Sequence, residues 1–128
     1  MKKQILYVEL KTGYNDNGPA WIGIGFFSKT GRTVYFNGKA FRKVKGISGN
    51  YLEIENSDEY WISGIKKDGS NRHWAGSGII QIDNGVVTEY LKLTGQNALP
   101  KNKFKVVQLD NSPSILKLNQ IENQKLED

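Results

Sequence analysis

Asn37-Gly38 sits between two short runs of strand-forming residues, Arg32 to Phe36 and Ala40 to Val44. Both turn residues accept positive φ, as a two-residue hairpin connection requires. The same grammar recurs along the chain. Short apolar or alternating runs are cut by Ser28 to Gly31, Lys45 to Asn50, Asn56 to Asp58 and Asp68-Gly69. Fourteen glycines against three prolines suit tight turns and bent strands. Such a chain folds as antiparallel β-structure, in which each strand pairs with its sequence neighbour.

The individual runs refine this picture. Gln4 to Lys11 is nearly continuous in apolar residues, which fits a strand covered on both faces or a central barrel strand. Thr12 to Ala20 is a loop. Trp21 to Phe27 is the next strand, and Gly23 and Gly25 share one face, where a neighbour can approach closely. In Tyr51 to Glu55 the alternation predicts Leu52 and Ile54 on the buried face, with Tyr51, Glu53 and Glu55 outward. Glu59 to Lys66, Ile79 to Asp83 and Lys103 to Leu109 complete the strands.

The segment from Asp83 to Gly95 has two readings. Asn84-Gly85 is a hairpin signal followed by alternating residues. As a helix, Asp83 or Asn84 is the N-cap, Val86, Val87, Tyr90 and Leu91 form a face, and Gly95 is the C-terminal cap.

The expected fold is therefore mainly β: a single small barrel or strongly bent antiparallel sheet of about six to eight strands, with one short C-terminal helix. Residues 1–111 form this domain. From Ser112 the chain has no glycine or aromatic residue, and 112–128 reads as a polar tail, disordered or a short docking helix.

Composition excludes several chemistries. With no cysteine and one histidine, the chain has no disulfide, thiolate nucleophile or ordinary zinc ligand set. No metal or cofactor is expected. Gly23-Ile24-Gly25 lacks the third glycine of a dinucleotide loop, and no Walker loop occurs. Asn15-Asp16-Asn17-Gly18 lacks the alternating carboxylates and downstream Glu of a calcium loop. The N-terminal run has no signal-peptide core, and no apolar stretch spans a bilayer. A cytoplasmic protein without membrane contact is the expectation.

The net charge is +5. No Asp or Glu occurs between Asn17 and Leu52, whereas Lys29, Arg32, Lys39, Arg42, Lys43 and Lys45 do. Glu53, Glu55, Asp58 and Glu59 follow at once. A basic hairpin carrying Arg32, Tyr35, Lys39, Arg42 and Lys43 can contact phosphates while its rings stack on bases. The same hairpin can also simply pair with the acidic strand in one sheet.

The stretch Tyr60 to Gly78 concentrates Trp61, His73 and Trp74 around a polar turn. Lys67 and Arg72 can hold an anion there, with a Trp as a stacking surface, and His73 can serve as acid or base. Its structural reading is a hairpin framed by two packed Trp residues. The ligand candidates are thus Arg32, Tyr35, Lys39, Arg42, Lys43, Lys67, Arg72, His73 and Trp74.

The runs YVELKTGYNDNGPAWIG, FSKTGRTVYFNGKAF and YWISGIKKDGSNRHWAGSG, within Tyr7 to Leu93, resemble a family of short bacterial proteins without an established function. The resemblance implies a helix after Ile82-Asp83, from which Asn84-Gly85 departs. Some members carry the name deoxyxylulose-phosphate synthase. That activity is excluded here, because the Gly-Asp-Gly diphosphate motif is missing; Lys67-Asp68-Gly69 lacks the first glycine.

Together these features favour a non-catalytic binding module for nucleic acid or a phosphorylated ligand. The alternatives are a protein-interaction module using a β edge or the tail, and a small enzyme using His73 and Arg72 with a nearby carboxylate.

Overall fold

The computed structural model describes residues 2–11, 18–46, 49–72 and 78–111. Its strands are β1 (Lys2–Leu10), β2 (Ala20–Phe27), β3 (Thr33–Phe36), β4 (Lys39–Lys43), β5 (Tyr51–Glu53), β6 (Glu59–Gly64), β7 (Ile80–Asp83) and β8 (Phe104–Val107). A 3-10 turn at Asn84–Val86 leads into the helix α1 (Val87–Thr94). Strands β1 to β6 run up and down, each antiparallel to the next, and β1 pairs with both β2 and β6. This closes a six-stranded antiparallel barrel. Stepping across paired residues from Lys2 leads through Phe27, Val34 and Phe41 to Glu53 at the far end of β5. The strands are therefore strongly tilted, as closure of a small barrel demands.

The Asn37-Gly38 signal marks a real hairpin turn. Asn37 and Gly38 both have positive φ, 49° and 73°, and join β3 to β4. The barrel interior is a side-chain core built from Leu6, Val8, Val34, Phe36, Phe41, Tyr51, Tyr60 and Ile62, with Leu109 added from beyond β8. The rings of Phe41 and Tyr60 meet edge to face at 4.8 Å.

Gly23 and Gly25 line this interior, as their shared face predicted. A Cβ on Gly25 would lie 2.2 Å from Leu6 Cδ1, and one on Gly23 would lie 2.9 Å from Leu109 Cδ1. Gly25→Val is expected to lower stability by about 1–3 kcal/mol through overpacking. Urea denaturation measures this, and an unchanged midpoint would contradict the packing described.

Burial also sets the alkaline limit. Loss of solvent, and then the nearby Glu53 and Asp58, push the Tyr60 phenol up to about 12, while burial raises Tyr51. A phenol raised in the folded state supports folding below the unfolded value near 10 and loses that support as pH climbs toward 12. Stability should fall by about 2–3 kcal/mol across that interval from Tyr60 alone. Phenolate absorbance should rise together with the loss of tertiary structure. Ionisation of every tyrosine before unfolding would refute this.

Three expectations are corrected. First, β5 faces the other way: Tyr51 and Glu53 are buried, and Leu52 is only half-buried. Its register with β4 places Glu53 opposite core-facing Phe41, which decides the inward face. Second, Tyr60 to Gly78 is not a hairpin. Strand β7 pairs in parallel with β2 and β8, not with β6. Residues 65–72 instead make their own turn. Asn71 accepts the Lys66 N–H and donates to the Gly64 carbonyl, each at 2.8 Å. Trp61 is 41% exposed rather than packed, and Trp74 lies outside the described residues. Third, Asp83 does not cap the helix with its side chain. It is fully buried and accepts the Leu109 N–H at 2.9 Å and the Asn111 amide at 3.0 Å.

Residues 84–94 are helical. Tyr90 buries its ring against Phe104. Gly95 closes the helix at φ 66°, and the Gln96 N–H returns to the Leu91 carbonyl at 3.0 Å. No helix among the described residues is long and apolar enough to cross a membrane. The predicted tail, 112–128, lies outside the described residues.

Candidate anion-binding rim

Consecutive strands of an up-and-down barrel point in opposite directions. The start of β1, the end of β2, the start of β3 and the ends of β4 and β6 therefore share one rim. That rim receives Lys2, Lys29, Arg32, Lys43, Lys66 and Lys67, and all six are exposed. Segments far apart in sequence thus deliver their cations to one place.

Local geometry fixes several of them. Gly31, at φ 73°, tightens the β2–β3 turn, and its N–H bonds the Ser28 carbonyl at 2.9 Å. The Lys43 N–H bonds the Arg32 carbonyl at 2.8 Å, one rung beyond the Thr33–Arg42 pair. Arg32 and Lys43 consequently stand opposite one another, a like-charge pairing that slightly destabilises a sheet. Among the described residues, neither has a carboxylate at ion-pair distance. Asp68 is the acid on this side. Its carboxyl is held below the ordinary range, first by hydrogen bonds from Ser70 and further by Lys66.

The opposite rim collects the other ends: Glu9 of β1, Glu53 and Glu55 at the end of β5, and Asp58 and Glu59 at the start of β6. Carboxylates thus gather away from the basic rim, but Lys11 and Lys39 lie at that end as well.

The candidates from sequence separate accordingly. Arg32, Lys43 and Lys67 lie on the basic rim. Lys39 is at the far end of β4, beside the Asn37-Gly38 turn. Arg42 is half-buried midway along the wall, opposite Leu52. Strand alternation puts Arg42 and Lys43 on different faces, so the basic hairpin is not one surface. Tyr35, expected as a stacking ring, is only 4% exposed and packs with Ala40, Phe26 and Ile54. His73 and Trp74 lie outside the described residues. Lys2, Lys29 and Lys66 belong to the rim but were not singled out as candidates. Only the up-and-down order of the strands would have connected them.

Arg72 is remote from this rim. Its side chain is 8% exposed. Its Nη2 donates to the Gly18 carbonyl at 2.9 Å, and Nη1 lies 4.0 Å from Glu9 Oε1. Glu9 is buried on the outward face of β1. The Tyr7 hydroxyl donates to Oε1, and Lys11 Nζ approaches Oε2 at 2.7 Å. Burial first, then the Glu9 carboxylate, raise the Tyr7 phenol strongly, while Arg72 partly opposes the shift. Arg72 Nε and Nη1 are buried without a hydrogen bond. This network ties the β1–β2 loop to the segment after β6. Glu9, Tyr7 and the Arg72 side chain are closed to solvent, so they are poorly placed to receive a ligand.

Among the described residues, no cluster of His, Asp and Glu could hold a metal ion. Compared with protein-family models, curated proteins and solved structures, the chain matches none. The functional reading rests on the barrel and its charge alone.

Proposed function

We propose that the protein is a non-catalytic binding module for nucleic acid or a phosphorylated ligand, acting in the cytoplasm through the basic rim of its barrel. The supporting observation is the exposed, carboxylate-free pairing of Arg32 with Lys43, with Lys2, Lys29, Lys66 and Lys67 at the same end. Like charges held together at a folding cost are offset when an anion binds between them. The family of short bacterial proteins suggested by sequence assigns no competing activity.

Fluorescence anisotropy with labelled oligonucleotides and inositol phosphates tests the proposal at low salt. Arg32→Glu with Lys43→Glu is expected to weaken binding at least about tenfold, as loss of two phosphate contacts would. Glu55→Lys, at the other end, should not weaken it. Absence of binding to every anion tried, or an equal effect of both changes, would sink the proposal.

Two observations keep other readings in play. Glu9 supplies the nearby carboxylate that an enzyme using Arg72 and His73 would need. A fold-neutral His73→Gln change that abolished an activity would favour it. Strand β8 ends the sheet and has exposed Val106, which suits a β-edge contact with a partner protein.

A further inference from the structure

The rim's chemistry narrows the class of anion, provided that the binding reading above holds. We infer that its partner is double-stranded nucleic acid, gripped by its phosphates and not read by its bases. Single-strand binders combine cations with aromatic platforms on which successive bases stack. The aromatic residues of the basic hairpin are unavailable: Tyr35, Phe36 and Phe41 are all buried. Among the described residues, the large aromatic that is exposed is Trp61. It lies on β6, three strands from β3 in either direction around the closed barrel. Among the described residues, a single exposed ring offers no row of platforms on which successive bases could stack.

What remains at the rim is a ring of cations on a rigid frame. A duplex presents one negative charge about every 1.7 Å along its axis and needs no stacking partner. Phosphate contacts fix position without reading sequence, so binding is sequence-independent.

Salt dependence gives the test its arithmetic. If four rim cations engage duplex phosphates, affinity should fall about 150-fold between 50 and 200 mM salt, from a slope near −0.9 per contact. With Arg32→Glu and Lys43→Glu, two contacts remain and the same step should cost only about 12-fold. Both side chains are exposed, and a thermal melt verifies that the variant folds. The assay uses full-length protein with a 20-base-pair duplex, each separated strand, inorganic polyphosphate and anionic-lipid vesicles.

The inference predicts duplex binding at least equal to that of either strand, with this slope and its reduction in the variant. Tighter single-strand binding that Trp61→Ala weakens would overturn it and leave the binding reading intact. So would capture of polyphosphate or vesicles without duplex. A shallow duplex slope unchanged by the double variant would also overturn it. Binding to none of these probes would overturn both.

Discussion

Replacing Glu9 by alanine is expected to destabilise the fold by about 3–5 kcal/mol, the cost of breaking a buried ion pair from one side. The carboxylate accepts the Tyr7 hydroxyl, contacts Lys11 at 2.7 Å and faces Arg72 at 4.0 Å. Without it, the buried Arg72 guanidinium and Tyr7 phenol lose their carboxylate in a site closed to solvent, and only the Arg72 bond to the Gly18 carbonyl still ties the β1–β2 loop to this segment. Arg72→Ala should be milder, because Lys11 and Tyr7 still hold the carboxylate. Guanidinium denaturation of both single variants and the double variant gives the coupling. If Glu9→Ala stays within about 0.5 kcal/mol of the parent, as ordinary surface substitutions do, the network contributes nothing.

The second large effect is expected at Asp83. This buried carboxylate accepts the Leu109 N–H and the Asn111 amide. It thereby draws the chain after β8 across the barrel, where Leu109 enters the interior core beside Gly23 and Phe36. A hydrogen bond to a charged group contributes about 1.5–3 kcal/mol. Asp83→Ala loses two of them and leaves the Leu109 N–H buried, so a loss of about 3–4 kcal/mol is expected. Hydrogen exchange at Leu109 should accelerate more than exchange in β1. Retained protection at Leu109 would show that the segment is held by other contacts.

Much of the fold was legible in local chemistry. Asn37-Gly38 takes the positive φ values that its hairpin needs, and Gly95 ends the helix it was expected to cap. Gly23 and Gly25 leave the space that Leu109 and Leu6 occupy, the close approach their shared face suggested. These features depend on one or two residues and their neighbours. The failures depend on partners distant in sequence. In β5, an apolar Leu52 and an acidic Glu53 suggested the wrong inward face, because the register with β4 overrides side-chain polarity. After β6, the turn residues Asp68-Gly69 promised a hairpin, but the parallel place beside β2 took β7 instead.

The candidate site divides the same way. The acid-free interval from Gly18 to Tyr51 flagged Arg32 and Lys43, which are exposed on one rim. It also flagged Tyr35, whose ring is buried, and Arg42, which alternation turns to another face. Arg72 looked like a surface cation because nothing local reveals that Glu9, on the first strand, lies beside it. Only the strand order places Lys2 and Lys66 at the same rim.

The basic end of the barrel is proposed as the place where an anion binds. Titration of isotope-labelled protein with a short duplex, followed by backbone amide NMR, locates the contact directly. Perturbations are expected only at residues around Lys2, Lys29, Arg32, Lys43 and Lys66. Shifts centred on Trp61, on Val106 or on the Glu53 to Glu59 end, with the basic rim silent, would contradict the proposal.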